Sequence, residues 1–285
     1  MRTVAIFGVG LIGGSFALAL KKAGFAGEIL GVSSERSISE ALRRGAIDRG
    51  VPFEEAAKEA DLLYLATPIR RIIEDIRRLK NFLKPGALIT DAGSTKQEIC
   101  DAAATHLAPE YFLGGHPMAG KESRGVNVAD ADLFKSRTYV LTPASTEQLE
   151  SASGKWLVDW IRKIGANPLI LSPQEHDHTV AFTSHLPQLA STALTMTAAG
   201  NLGNASSQKT TGQGFQDMTR LAHSSFDMWK DILDTNTAEI DKALEAYIQV
   251  LLEMREGLRD PAGMQSAFES AAEFRKRLYS ATILR

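Results

Sequence analysis

TVAIFGVGLIGGSFALALKKAGF, residues 3–25, decides the fold. An apolar run breaks at Gly8-Val9-Gly10-Leu11-Ile12-Gly13 and then resumes with helical periodicity, so strand, tight turn and helix follow one another. Each glycine has a physical reason in a dinucleotide-binding turn: Gly8 allows the turn, Gly10 lets the backbone approach a pyrophosphate, and Gly13 lets helix and strand pack closely. Leu11 and Ile12 open the helix, whose free amides and positive dipole end face the phosphates. A signal peptide is the competing reading, because Arg2 precedes a long apolar stretch. Glycines at 8, 10, 13 and 14 disfavour a continuous apolar helix, and no small-residue cleavage site is evident.

Working outward, EILGVS (28–33), DLLYLATP (61–68), GALITDAGS (86–94), FLGGHPMAG (112–120), TYVLTP (138–143) and ANPLILSP (166–173) read as strands. More polar, often helical stretches separate them. One of these, RRIIEDIRRLKNFLK (70–84), is expected to bury Ile72, Ile73, Ile76, Leu79 and Leu83 and to solvate its charges. The alternation predicts an α/β fold, a Rossmann-type doubly wound and largely parallel sheet over residues 1–172. From residue 173 strand-like runs cease, and an all-helical C-terminal domain is expected over 173–285. HTVAFTSHLPQLASTALTMTAAGNL (178–202) is apolar nearly all round, which predicts a buried helix kinked at Pro187. TAEIDKALEAYIQVLLEMREGL (237–258) places Ile240, Leu244, Ile248, Leu251 and Leu252 on one face. That apolar excess predicts a homodimer formed through the helical half.

The 285 residues can bury a core without staples, and a formal net charge of −2 gives no reason to expect nucleic acid or an anionic membrane as partner. Beyond the N-terminal run, no other stretch is long and apolar enough to span a bilayer. One cysteine, Cys100, cannot form an internal disulfide, which agrees with a reducing cytoplasm. It reads as a small helix residue and not a nucleophile.

Ligands of open α/β sheets gather beyond the carboxyl ends of strands, so the polar residues that follow the apolar runs are the candidates. Thr67 and Pro68 end one run and are placed against the cofactor; DAGSTK (91–96) brings Ser94 and Lys96 after another. GGHPMAGKES (114–123) sets His116 in a loop stiffened by Gly115, Pro117 and Gly120. In the helical half, Arg220 in GQGFQDMTRLAHSSFDMWKDI (212–232) has the planar fork suited to a carboxylate, with a surface ion pair to Asp217 or Asp227 as the alternative. His176, Asp177 and His178 are read as caps of the first C-terminal helix, and no metal site is expected.

Taken in order, GVGLIGGS, DAGSTK, GGHPMAGKE, EHD followed by SHLP, and GFQDMTR followed by MWKDI resemble the prephenate and arogenate dehydrogenases of tyrosine biosynthesis. The resemblance implies an NAD(P)-dependent oxidative decarboxylation of a cyclohexadienol bearing a ring carboxylate. It implies that His116 accepts the proton of the 4-hydroxyl, that Ser94 orients the same oxygen, and that Arg220 holds a substrate carboxylate. Ser184 and Gln188, from SHLPQ, are implied to line the substrate. Many members that use prephenate have a histidine where this chain has Gln188, so a neutral side chain opens the way to arogenate, whose side chain carries an ammonium.

Cofactor choice turns on the end of the second strand, where an acidic residue would hold the ribose hydroxyls of NAD. Here the strand runs into Ser33-Ser34-Glu35-Arg36, and the hydroxyls of Ser33 and Ser34 with Arg36 nearby favour NADP. Glu35 keeps NAD as the alternative. Competing readings are another two-domain NAD(P) dehydrogenase, of β-hydroxyacid dehydrogenase or imine reductase type, and a non-enzymatic NAD(P)-sensing protein on the same fold.

Overall fold

The computed structural model describes residues 1–283, and the chain divides into two compact units, Met1–Thr237 and Ala238–Arg285. In the first unit β1 (Thr3–Phe7), β2 (Glu28–Val32), β3 (Arg49–Gly50), β4 (Leu62–Leu65) and β5 (Leu88–Asp91) form a parallel sheet in the order β3-β2-β1-β4-β5. The register sets Phe7 beside both Val32 and Leu65. The strand order therefore reverses between β1 and β4, and the crevice beyond their carboxyl ends is where such sheets bind ligands.

Val4, Ala5, Ile6 and Phe7 are all buried, as expected of a strand covered on both faces. On one face α1 (Leu11–Lys22) contributes Phe16 and Leu20, and Phe16 stacks on Tyr64 with ring centroids 4.0 Å apart. Helix α2 (Glu35–Arg43) follows β2. The opposite face is covered by α3 (Phe53–Glu59), α4 (Ile69–Leu79) and α5 (Gln97–His106) through Phe53, Ile72, Ile76 and Ile99. The apolar stripe of α4 is buried from Ile72 to Leu79, but Asp75 is buried with it, and Leu83 lies beyond the helix and only half-buried.

The strands after β5 do not extend this parallel sheet as the sequence led us to expect. β6 (Gly114–Pro117), β7 (Thr138–Thr142) and β8 (Asn167–Ile170) make a separate three-stranded sheet, antiparallel between β6 and β7 and parallel between β7 and β8. A single bridge links the two, with the Leu113 amide donating to the Ile89 carbonyl at 2.9 Å. Two short helices, α6 (Thr146–Glu150) and α7 (Ala152–Lys163), connect β7 to β8.

Beyond β8 the regular structure of the described residues is helical. α8 (Pro173–Val180) begins with a capping box in which Glu175 N–H donates to Ser172 Oγ at 3.1 Å and Ser172 N–H donates to Glu175 Oε2 at 2.8 Å. Capping thus falls to Ser172 and Glu175, and the expectation that His176, Asp177 and His178 cap this helix is corrected. A π-helical turn, Ala181–His185, then leads into α9 (Leu186–Asn201), with Pro187 in its first turn. The Leu186 amide bonds back to the Ala181 carbonyl. Pro187 has no N–H and its ring crowds the carbonyl four residues back, so the helix widens before it instead of kinking within a single rod.

α10 (Ala205–Gln208), α11 (Gln213–Thr219) and α12 (Phe226–Thr235) complete the first unit. The predicted burial of α9 fails in the single chain: Gln188 and Ser191 are buried, while Leu194 is exposed and Met196 is 70% exposed. Within this unit α9 is covered by α11 and the Arg220–His223 turn, which leaves its apolar flank open. The second unit carries most of α13 (Thr237–Glu256) and all of α14 (Pro261–Ile283). Ile248, Leu251 and Leu252 are exposed on α13, as is Phe268 on α14. No helix among the described residues is long and apolar enough to cross a membrane.

Candidate active site

The turn after β1 has the geometry its glycines foretell. Gly8 has φ of +91°, and a Cβ there would lie 2.7 Å from the Ala66 carbonyl oxygen; one on Gly13 would lie 2.7 Å from the Ile6 Cγ2 methyl. At Gly10 nothing comes within 4 Å of where a Cβ would sit, so the backbone there is open to a ligand. No side chain caps the N-terminus of α1. The adjoining cleft, of about 300 Å³, is lined by Ile12, Thr67, Pro68, Gly93, Ser94 and Arg124 among others. The Thr67 hydroxyl is buried in its wall with no hydrogen-bond partner among the described residues. A strand-end crevice with free helix amides, an open glycine and an orphaned donor fits a dinucleotide. At the far side β2 ends at Val32; Ser33, Ser34 and Arg36 are exposed, and Ser34 caps α2 through the Ser37 amide at 3.4 Å.

Beside this cleft lies a buried polar cluster. Asp91 closes β5 and Lys96 precedes α5, and both are wholly buried as an ion pair. The Lys96 ammonium also donates to the Gly115 carbonyl at 2.8 Å. Asp91 accepts the Gly93 amide at 2.8 Å and the Gly115 amide at 3.0 Å. One carboxylate therefore ties the Ser94 loop to β6. Close approach makes this possible: a Cβ on residue 115 would lie 2.7 Å from the Asp91 carbonyl oxygen, so glycine is required there.

His116 follows at once. The structure puts it inside β6, paired with Val140 of β7, and not in a loop after a strand, so its backbone is held by a sheet ladder. Its Nδ1 lies 2.8 Å from His176 Nε2, and His176 Nδ1 lies 2.7 Å from Asp177 Oδ1. Asp177 also accepts the amides of Lys96 at 2.6 Å and Gln97 at 2.8 Å. Removal from water holds the His116 imidazole well below the usual histidine range, reinforced by His176, Lys96 and His185. Burial lowers His176 as well, against the pull of Asp177. His185 is lowered to about 4, chiefly by burial. All three rings are neutral near pH 7.

The other candidates are spread more widely. Ser94 lines the cleft, half-buried. Ser184 is half-buried in the π turn, one residue before His185. Gln188 is buried at the start of α9; its Nε2 donates to the Leu221 carbonyl at 2.9 Å, while its Oε1 has no partner among the described residues. Arg220 is exposed and pairs with Glu122 at 3.1 Å, so its ion-pair partner is neither Asp217 nor Asp227. Trp229 packs edge-on to His185 at 5.8 Å and joins the apolar cluster around Ile232. The Cys100 thiol is pushed up to about 11 by burial, as an inert side chain would be. No group of three metal-ligating side chains exists among the described residues. Asp91, His176 and Asp177 were not singled out from sequence as functional; only the EHD triplet (175–177) signalled the last two.

A family model described as prephenate dehydrogenase, nucleotide-binding domain, matches residues 16–167, and one described as prephenate dehydrogenase, dimerization domain, matches residues 172–271. Prephenate dehydrogenase of Lactococcus lactis subsp. cremoris is 36% identical over 284 residues, 98% of this chain and 78% of that protein. The crystal structure of prephenate dehydrogenase from A. aeolicus in complex with hydroxyphenyl propionate and NAD+ superposes with a TM-score of 0.84 at 31% identity, covering 99% of this chain and 98% of the other. Synechocystis arogenate dehydrogenase also gives a TM-score of 0.84, at 27% identity, covering 97% and 99%. Two family models laid along most of the chain, and a relative that shares over a third of its residues across nearly the whole length, make this chain a member of the prephenate and arogenate dehydrogenase family and hence an oxidoreductase.

Proposed function

We propose that the chain catalyses the NAD(P)-dependent oxidative decarboxylation of prephenate to 4-hydroxyphenylpyruvate, of arogenate to tyrosine, or of both, with His116 as general base. The observation that carries this reading is a neutral imidazole fixed in a strand, bonded at Nδ1 and adjoining the Ser94 loop through Asp91 and Lys96. His116 Nε2 takes the proton of the 4-hydroxyl, and Ser94 orients that oxygen by a hydrogen bond. A nicotinamide held by the Gly8–Gly13 turn and the Thr67–Pro68 edge of the cleft would supply the acceptor for hydride from the same carbon. The ring carboxylate of the resulting dienone is a vinylogous β-keto acid. Its bond to the ring breaks, the electron pair passes into the ring, and the new phenolate recovers the proton from His116. The proton is borrowed and returned, so the base needs no exit to solvent.

Arg220 is the clamp for a substrate carboxylate and leaves Glu122 to make that contact; Ser184 lines the same substrate. The unpartnered Oε1 of Gln188 is an acceptor suited to the ammonium of arogenate, which supports use of that substrate. Gly8, Gly10, Leu11, Ile12, Gly13, Thr67 and Pro68 hold the dinucleotide. Ser33, Ser34 and Arg36 favour NADP over NAD, since no acidic side chain directly follows β2. Residues 1–172 serve as the cofactor domain and 173–285 as the substrate and dimerisation domain of a cytoplasmic homodimer. The match to a dimerization domain and the exposed apolar residues of α9 and α13 support that assembly.

Initial rates with prephenate and arogenate, each with NAD and NADP and followed at the reduced-nicotinamide absorbance, test the proposal. Turnover of at least one substrate is expected, with arogenate and NADP the favoured pair. Silence in all four combinations, from folded protein that binds NADP, overturns the chemistry assigned to His116.

A further inference from the structure

We propose that Asp177 and His176 form a directional hydrogen-bond relay that holds His116 as the Nδ1-protonated tautomer and leaves the Nε2 lone pair free for the substrate. The inference rests on the reading of His116 as base. It starts from Asp177, an ionised carboxylate that can only accept. Its two oxygens already accept the Lys96 and Gln97 amides, so Oδ1, 2.7 Å from His176 Nδ1, requires the proton of that contact to be on the ring. A neutral His176 protonated at Nδ1 has a bare Nε2. That Nε2 is 2.8 Å from His116 Nδ1, and the proton between the rings must therefore belong to His116. The reverse direction would set the His176 lone pair against a carboxylate oxygen at hydrogen-bond distance.

The surroundings keep this direction. His176 and Asp177 are buried, so water does not reassign the tautomers. Asn236 Nδ2 donates to the Asp177 carbonyl at 2.9 Å and sits 3.2 Å from His185 Nδ1, which makes His185 the acceptor there. The relay thus sets the tautomer in the resting enzyme, while His176 and Asp177 remain positioning residues that do not touch the substrate.

The direction of the relay can be reversed by a single atom. Asp177→Asn presents an NH₂ to His176 Nδ1, turns the chain of donors round, and places the proton on His116 Nε2, where it blocks the base. Turnover is expected to fall by roughly 10²- to 10⁴-fold, the range for loss of a correctly tautomerised base, with NAD(P) affinity unchanged. His176→Gln preserves the polarity, donating to Asp177 and accepting from His116, and is expected to stay within about tenfold of the parent, whereas His176→Leu falls as far as Asp177→Asn. ¹H–¹⁵N correlation spectra of histidine-labelled holoenzyme give a readout independent of rate: His116 carries its proton on Nδ1 in the parent and on Nε2 in Asp177→Asn. If Asp177→Asn does not fold, the contrast between His176→Gln and His176→Leu decides. Parent His116 protonated at Nε2, or His176→Gln as damaged as His176→Leu, overturns the relay. If the parent turns over neither substrate, the reading of the reaction falls, and the tautomer spectra judge the relay by themselves.

Discussion

The Gly8–Gly13 turn and the Asp91–His116–Asp177 cluster both lie at the carboxyl ends of strands, and they are built in opposite ways. The turn is local: six consecutive residues, backbone amides and open space, with no titratable side chain. The cluster draws on β5, the start of α5, β6 and α8; its ionic groups are buried, and the His116 ring is half-buried beside them. A site made of backbone is specified by where side chains are absent, and it tolerates exposure. A buried ionic site holds only when every donor has its acceptor, because an unpaired charge away from water costs several kcal/mol. The cradle should therefore fail by losing affinity and the cluster by losing turnover or fold.

The largest expected effect is in the cluster. His116→Asn should lower turnover by about 10²- to 10⁴-fold while cofactor affinity, measured by titration, stays near normal. Near-normal turnover would remove His116 from the mechanism. Next, Lys96→Met leaves Asp91 ionised and unpaired in the core, and should cost roughly 3–5 kcal/mol in denaturant unfolding. A loss of under ~1 kcal/mol would mean that the Asp91 carboxylate takes up a proton instead.

The same burial predicts the pH behaviour of the cluster. His116, His176 and His185 are neutral when folded, with values lowered from the ordinary ~6.5 that they regain on unfolding. Below that value the unfolded chain binds more protons than the folded one, so the stability these rings contribute is present above about pH 6.5 and is lost as pH falls, for His185 down to about 4. Urea midpoints that hold constant from pH 7 to about 4 would contradict the neutral, buried rings.

The cradle should respond more gently. Ser33→Asp puts a carboxylate beside the ribose 2′ position and should swing the NAD to NADP preference towards NAD; an unchanged ratio would mean that Ser33 does not meet the ribose. The smallest change expected is at the far end of the substrate. Gln188→His replaces a neutral acceptor with a ring that can carry positive charge, and should shift kcat/KM from arogenate towards prephenate by about tenfold, the scale of one hydrogen bond to a charged group.

Reading the chain by itself went furthest where structure is local. The six strands predicted after β1 all formed within the stretches that carried them; five of them are mostly buried, as apolar runs between polar turns have few other places to go, while β8 pairs with β7 and stays largely exposed. β3, two residues long, carries too little pattern to be read. The expected single sheet became two because Gly115 lets β6 pass over the end of β5, a close contact between residues 24 apart. Pro187 marked a break in the helix but could not say that the backbone would widen to a π turn before it. The apolar surface of α9 showed that something must cover it, though not that this chain alone would leave Met196 exposed.

What the sequence by itself determined is the nucleotide-binding turn, the alternating α/β half, the helical half, and the residue types at the ends of strands. Each follows from neighbours along the chain, through periodicity, steric freedom at glycine and the missing N–H of proline. Only the tertiary structure decided that His116 sits within a strand, that Lys96 is wholly buried against Asp91, and that His176, which read as a helix cap, stands 60 residues from His116 in sequence and one hydrogen bond away in space, with Asp177 bonded behind it. The direction of a proton chain depends on distances between side chains from separate elements. Those distances exist only after the β5, β6 and α8 backbones have been packed together.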